Sequence, residues 1–425
     1  MKADARSIAL EVLRRVLKDH AFASSTLRAA FGANPQLCHQ DRGLTTELVY
    51  GVLRRRGMLD LALRKASGRR IKDIDPRLLG VLRIAAYQLI YLDRVPDHAA
   101  VNCAVDTAKR LRGPRGGAFT NAVLRKLTGI APEERVPTPP CIDDDPAAHV
   151  SQAGSLPMAL AQRLVEDLGA QDAAAFAIAS LDAAPLSLRT NLLRGDRQSL
   201  LQELEAEPGA LPYSVRLPPA GGRLPGELEA VKQGRATPQD EASMRVVELL
   251  DPRPGETILD LCAAPGGKTT HTAERMNNEG RVVAHDRLPA RLARVLQSAE
   301  RLGLSIIELS EPLPEDKPTF DRVLVDAPCS GLGTLRRHPE IRWRLTDRDI
   351  TELTRTQAEV LAQGAARVRP GGTLVYSVCT VTRAEGEAQV EQLGEQFKLD
   401  KMIRTSPHHD GAPDGFFAAR LVKQV

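Results

Sequence analysis

Along the first 130 residues the apolar positions recur at helical spacing, as in Ile8, Val12, Leu13, Val16 and Leu17 and again in Leu78, Leu79, Leu82, Ala85, Ala86, Leu89 and Ile90. Such stripes predict amphipathic helices that bury one face against each other, so residues 1–135 read as an all-α bundle. Helix breaks are expected at GANP (Gly32 to Pro35), Asp75-Pro76, Val95-Pro96 and RGPRGG (Arg112 to Gly117), with a closing helix over FTNAVLRKL. The proline-rich, acidic stretch from Ile130 to Ala148 reads as a linker, and a domain boundary is expected there. Residues 145–235 mix one helical pattern, Leu156 to Leu168, with short segments such as PLSLRTNLL, which suggests a small α+β domain. From residue 236 short apolar runs alternate with longer helical segments: TILDL (Thr257 to Leu261), RVVAH (Arg281 to His285), SIIEL (Ser305 to Leu309), DRVLVDA (Asp321 to Ala327) and TLVYSV (Thr373 to Val378). That alternation predicts an α/β domain over residues 236–425, built on a parallel sheet buried on both faces.

A chain of 425 residues exceeds one ordinary core, in keeping with several domains. No apolar stretch approaches the roughly 20 residues that span a bilayer, and MKADARSIALEVLRRVL lacks a signal-peptide core, so a cytoplasmic protein without membrane partners is expected. The six cysteines are scattered, with no C-x-x-C pair, which argues against a disulfide framework or a metal site; Cys103 reads as a small core residue. The net charge of +4 conceals a split: residues 1–130 hold 24 Lys and Arg against 11 Asp and Glu, leaving 34 against 43 in the remainder. A basic first domain of this kind suits either a polyanion or a solvated surface.

Ligands of parallel α/β sheets sit at the carboxyl ends of strands where the strand order reverses, so chemistry is expected just after each apolar run. After the first run comes CAAPGGKTT, in which Gly266 and Gly267 permit close backbone approach at a turn opening a helix. Asp286, after the second run, stands where an acidic side chain binds ribose hydroxyls in nucleotide-binding domains. The turn is not a phosphate-binding P-loop, which would need Gly where Cys262 stands. Nor is it a dinucleotide G-x-G-x-x-G, since Ala264 and Pro265 occupy the first glycine positions.

Cys329 follows VLVDAP and Cys379 follows TLVYSV, so both are expected at the same edge as the glycine turn and Asp286. A thiolate there is placed for nucleophilic attack beside a bound cofactor. Two cysteines and an acid suit methylation of a pyrimidine at carbon 5, a weakly nucleophilic atom that becomes enamine-like once a thiolate adds to carbon 6. A second thiol then assists release, and Asp326 can hydrogen-bond the pyrimidine edge. The target base must leave its stack, which suits RNA. Spacing alone leaves open which cysteine is the nucleophile. RRHPEIRWR interleaves Arg336, Arg337, Arg342 and Arg344 with Trp343. The arginines read as contacts to RNA phosphate, Trp343 as a core residue and His338 as structural.

The runs LDLCAAPGGKTT, DAPCS…RRHPEIRW and YSVCTV, with QDEAS upstream and DGFFAARL near the carboxyl end, resemble the RNA cytosine-5 methyltransferase family. The segments LVYGVLRRRGMLD, LRIAAYQLIYL, HAAVNCAV and FTNAVLRK are similar to the RNA-binding domain of the NusB family. The resemblance implies a Rossmann-like class I methyltransferase domain behind a NusB-like RNA-binding domain and a small RNA-positioning domain. It implies S-adenosylmethionine as cofactor, 5-methylcytosine as product and small-subunit (16S) ribosomal RNA as substrate. By the family's pattern Cys262, Ala263, Ala264, Pro265, Gly266, Gly267 and Lys268 wrap the methionine end of the cofactor, Asp286 binds its ribose, and Asp326 lies between cofactor and cytosine. Cys379 is then the nucleophile and Cys329 assists product release.

Three features depart from that pattern. The Gly-Asp usual after the third strand is replaced in IIELSEPLPEDKPTFD, where Glu308 or Glu311 could substitute. Val378 and Thr380 flank Cys379 in place of Thr and Ser, and Glu385-Gly386 replaces Glu-Asn. The departures motivate a rival, a non-catalytic RNA-binding assembly factor; a NusB-like antitermination factor working through its basic helices is another. A monomer is the simplest expectation for the oligomeric state.

Overall fold

The structure, a computed structural model, describes residues 4–218, 225–409 and 413–425. The chain divides into two compact units, the first running to Asp182 and including Leu335–Arg344, the second holding the remainder from Ala183.

The first unit is helical: α1 (Ala5–Lys18), α2 (Ala23–Ala33), α3 (His39–Ser67), α4 (Pro76–Tyr91), α5 (Asp97–Thr128), α6 (Pro146–Ala153), α7 (Met158–Leu168) and α8 (Ala170–Ala179). Local chemistry sets the starts. The Asp4 carboxylate accepts the Ser7 N–H at 2.7 Å to cap α1, and Asp75 accepts Arg77 N–H at 2.9 Å with Pro76 at the first helical position. At RGPRGG the helix does not end: α5 kinks at Arg112 and Gly113, whose φ of +68° precedes Pro114, and the expected closing helix is its second limb. Val12, Val16, Leu48, Val52, Leu82, Ala86, Leu124 and Leu127 form the core. The Tyr87 ring packs directly on Gly51, where an added Cβ would lie 2.0 Å from Tyr87 Cζ and force the ring to move. Cys103, expected in the core, is exposed on α5.

The break between units falls at Asp182 rather than in the proline-rich stretch. That stretch is held down: Pro137 O accepts Gln152 Nε2 at 2.6 Å, Pro140 O bonds His149 Nδ1 at 2.8 Å, and the buried Arg135 donates to Leu89 O and Ile130 O. A segment whose carbonyls are engaged packs as part of the unit, and α6–α8 pack with it.

The second unit begins with an antiparallel sheet of β1 (Leu186–Thr190), β2 (Glu207–Pro208), β3 (Ser214–Leu217) and β4 (Ala236–Pro238), in the order β2-β3-β1-β4, with α9 (Arg197–Glu203) and α10 (Glu229–Lys232). A seven-stranded sheet follows: β5 (Thr257–Asp260), β6 (Arg281–Ala284), β7 (Ile307–Leu309), β8 (Phe320–Asp326), β9 (Val368–Val378), β10 (Phe397–Thr405) and β11 (Phe416–Lys423), in the order β10-β11-β9-β8-β5-β6-β7. The five expected strands run parallel; β11 pairs antiparallel with β9, and β10 pairs antiparallel with β11 at the edge. Alternation along the strands builds two cores. Ile258, Val282, Leu324 and Val375 face α11 (Glu241–Leu250), α12 (Gly267–Arg275) and α13 (Ala293–Leu302), while Leu259, Val283, Val325 and Tyr376 share the opposite core with Leu361 and Ala365 of α14 (Asp347–Arg367). The chain steps outward from β5 to β6 and β7, then returns to β8 on the other side of β5, which opens a crevice at their carboxyl ends.

Candidate active site

The turn Leu261 to Lys268 leaves β5 at that crevice. Ala263 N–H donates to His285 O at 2.8 Å and Gly266 N–H to Ala263 O at 2.7 Å, which curls the backbone into the start of α12. Gly266 adopts φ +105°, and a Cβ on it would sit 3.1 Å from Val295 Cα; a Cβ on Gly267 would meet nothing within 4 Å, so that residue borders open space. Asp286, just beyond β6, is buried; its carboxylate accepts Ala264 N–H at 3.3 Å and Leu288 N–H at 2.9 Å, tying it to the turn.

Two further carboxylates face the turn. Asp260 ends β5, is buried, and accepts the Thr269 hydroxyl at 2.7 Å on Oδ2, whereas Oδ1 has no partner. Burial outweighs that hydrogen bond, the Asp326 charge adds to it, and the Asp260 pKa is pushed up to about 7. Asp326 ends β8; Lys268 Nζ donates to Oδ2 at 2.6 Å and Ser377 Oγ to Oδ1 at 2.7 Å. Burial pulls the Lys268 pKa down, but Asp326 more than offsets it and the ammonium is held charged.

The two cysteines meet. Cys329 Sγ lies 3.2 Å from Cys379 Sγ, because β8 and β9 are parallel neighbours and each cysteine follows its strand within three residues. The hydrogen bond to Cys379, then burial, pushes the Cys329 thiol well above its ordinary pKa. Cys262 is also kept protonated, by burial first and then by Asp260, Asp326 and Asp286.

The arginines of RRHPEIRWR are placed otherwise than expected. Arg342 is wholly buried in the helical unit, donating to Arg54 O at 2.9 Å, Gly154 O at 3.2 Å and Ser180 O at 3.1 Å. Burial, with Arg54 and Arg55 nearby, lowers its pKa to about 9. Arg344 donates to Val16 O and Ala21 O, and Arg336 is buried with its carbonyl accepting Arg54 Nη2 at 2.8 Å. The expected phosphate contacts are therefore corrected for Arg342 and Arg344, whose guanidinium groups turn inward onto backbone carbonyls, and for Arg336, which is buried; Arg337 is half-buried. Trp343 packs on the helical core and donates to Leu53 O at 2.6 Å, and His338 stands edge-on to Phe22.

Glu308, one substitute weighed for the missing Asp, is exposed and pairs with Arg281 at 2.7 Å. Arg189 of β1 lies in no motif of the sequence; a lone arginine inside an apolar strand run is its only signal. It is buried, donating to Gly267 O at 2.9 Å, Thr270 Oγ1 at 3.2 Å and both oxygens of Glu274 at 2.8 and 2.9 Å, and so braces the glycine turn. Among the described residues no cluster of three potential metal ligands occurs, and no helix is long and apolar enough to cross a membrane.

The sequence profile of the family described as 16S rRNA methyltransferase RsmB/F matches residues 247–397, and that of the NusB family matches residues 3–129. A seven-stranded sheet with a glycine turn at its switch point, matched by that profile, defines an S-adenosylmethionine-dependent methyltransferase. The chain is 34% identical to the probable ribosomal RNA small subunit methyltransferase B of Bacillus subtilis, across 100% of this chain and 99% of that one. It is 36% identical to the protein of that name from Synechocystis sp., across 99% of each. The crystal structure of PH0851 matches at a TM-score of 0.79 and 27% identity, covering 99% of this chain and 98% of the other. The chain belongs to the ribosomal RNA small subunit methyltransferase B family.

The residues present fit S-adenosylmethionine. The open space at Gly267, the partnerless Asp260 Oδ1 and the Asp286 carboxylate offer room for the cofactor, an acceptor for its ammonium and acceptors for its ribose hydroxyls.

Proposed function

We propose that the protein methylates carbon 5 of a cytosine in small-subunit ribosomal RNA through a covalent adduct on Cys379. The reading is carried by the 3.2 Å approach of Cys329 and Cys379 beside the Lys268–Asp326 pair. Bound S-adenosylmethionine supplies an electrophilic methyl group. Cys379 adds as thiolate to carbon 6, which makes carbon 5 nucleophilic; Asp326, steadied by Lys268 and Ser377, accepts a hydrogen bond from the pyrimidine edge and stabilises the adduct. Once carbon 5 is methylated, its proton departs to a base and the Cys379 thiolate is expelled. Cys329, held as a thiol, stands next to the leaving sulfur and assists release.

Residues 1–135 supply a basic RNA-binding domain, residues 145–235 position the RNA and residues 236–425 carry out the transfer. Within the middle segment, residues to Asp182 act with the helical unit and the small sheet with the catalytic domain.

The test is methyl transfer from labelled S-adenosylmethionine to small-subunit ribosomal RNA lacking its own modifications, with mapping of 5-methylcytosine. A single modified cytosine that disappears with Cys379→Ala is expected. Transfer persisting in that variant sinks the proposed nucleophile, and methylation at another base position sinks the proposed chemistry.

A further inference from the structure

The loops carrying Cys329 and Cys379 converge on one buried side chain. Glu385 is fully buried and accepts from the residue directly after each cysteine. Oε1 accepts Ser330 N–H at 2.7 Å and Gln357 Nε2 at 3.1 Å. Oε2 accepts Ser330 Oγ at 2.6 Å, Thr380 Oγ1 at 3.1 Å and Thr382 Oγ1 at 2.8 Å. Ser330 Oγ and Thr380 Oγ1 also lie 2.8 Å apart, so the residues after the two cysteines are linked directly and through one carboxylate. Gln357, on α14, donates to Pro328 O at 2.9 Å as well, fixing the peptide just before Cys329. Tyr376 OH donates to Glu385 O at 2.7 Å, which seats the carboxylate from β9.

We propose that Glu385 is a positioning residue for the methyl-transfer reaction: its carboxylate sets the separation and orientation of the Cys329 and Cys379 sulfurs. The inference rests on the covalent reading above. Burying a carboxylate is costly unless its lone pairs are filled, and here donors from both loops and α14 fill them. The resulting hub resists drift of one loop against the other. Backbone bonds complete it, since Gly333 N–H donates to Cys379 O at 3.0 Å and Gly415 N–H to Gly333 O at 2.8 Å. A nucleophile that must reach carbon 6 while a second thiol waits beside it tolerates little misplacement; a displacement of about 1 Å costs on the order of 100-fold in rate. Thr380 takes part through its hydroxyl, which a serine at that position would also supply, so this departure keeps the contact to Glu385.

The test uses the full chain and small-subunit RNA carrying 5-fluorocytosine, in which the fluorine blocks loss of the carbon-5 substituent and the adduct accumulates. Wild type, Cys379→Ala, Glu385→Gln and Glu385→Ala are compared for adduct rate, KM for RNA, Kd for S-adenosylmethionine and melting temperature. Glu385→Ala is expected to form adduct on the order of 100-fold more slowly, with KM and Kd within about twofold of wild type, and Glu385→Gln to recover part of the rate by keeping the shape and one acceptor. Should Glu385→Ala not fold, Thr380→Val, which removes one link at nearly constant volume, carries the same expectation at about tenfold. Adduct formation at the wild-type rate in a folded Glu385→Ala or Thr380→Val variant overturns the inference. So does a loss matched by equal changes in KM and Kd. Adduct formation by Cys379→Ala at the wild-type rate instead overturns the covalent reading and is recognised without reference to Glu385.

Discussion

Lys268 Nζ donates to Asp326 Oδ2 at 2.6 Å while Ser377 Oγ holds Oδ1, so the Asp326 carboxylate is steadied at both oxygens by groups from α12 and β9. Removing the cation frees Asp326, which is 30% exposed and can turn toward solvent. Lys268→Met is expected to lower kcat by about 100-fold and stability by only about 1–3 kcal/mol. Lys268→Arg is expected to restore stability better than rate, because a planar fork replaces a point charge. Steady-state kinetics beside thermal melts separate the two effects.

In the proposed mechanism, Cys329→Ala leaves Cys379 able to attack but removes the thiol that assists release. A protein–RNA adduct is expected to accumulate and to migrate slowly on a denaturing gel after incubation with S-adenosylmethionine. Cys329→Ala/Cys379→Ala should show none. Absence of the adduct in the single variant would assign both steps to Cys379 with other groups.

Arg337 and Arg342 belong to the same short motif yet should behave differently. Arg342→Ala strands buried carbonyls of Arg54, Gly154 and Ser180 and is expected to destabilise the protein by roughly 3 kcal/mol or more. The slope of RNA affinity against salt should not change for the folded fraction. Arg337→Ala should flatten that slope by about one unit. Binding titrations at several salt concentrations check both.

Asp260 makes stability pH-dependent. Its native pKa of about 7 exceeds that of the unfolded chain, so its contribution is full below about pH 4 and is lost as pH rises through 7, at up to roughly 1.4 kcal/mol per unit. Asp260→Asn should be the more stable protein at pH 8 and differ little at pH 4.5. A cofactor ammonium at Oδ1 favours the ionised form, so wild type should release a proton on binding S-adenosylmethionine near pH 7, and Asp260→Asn should not. Calorimetry in buffers of different ionisation enthalpy reads the proton directly.

Much of the fold is legible along the chain. The helices of the first unit follow from their 3.6-residue stripes and caps, and the five parallel strands from short apolar runs whose successive residues enter opposite cores. The strands β10 and β11 were not expected. β10, FKLDKMIRT, is an edge strand exposed over most of its length, so it lacks an alternating apolar pattern. The proline-rich stretch reads as a linker by composition, and the partners of its carbonyls come from residues such as Gln152 and His149 that no local pattern connects to it.

By itself the sequence determined the chemical inventory and its address. The glycine turn, Asp286, Asp326 and the two cysteines all follow apolar runs, and parallel strands with helical crossovers bring the residues after such runs to one edge. Only the tertiary structure decided what those side chains do to one another. It set the cysteine sulfurs 3.2 Å apart, spent Arg342 on carbonyls rather than phosphate, left Asp260 Oδ1 without a partner and made Glu385 the hub of two loops. The physical reason is that burial and hydrogen-bond saturation are properties of three-dimensional neighbours. A side chain's charge and role follow from which donors and acceptors remain unfilled around it, and those arrive from residues tens to hundreds of positions away.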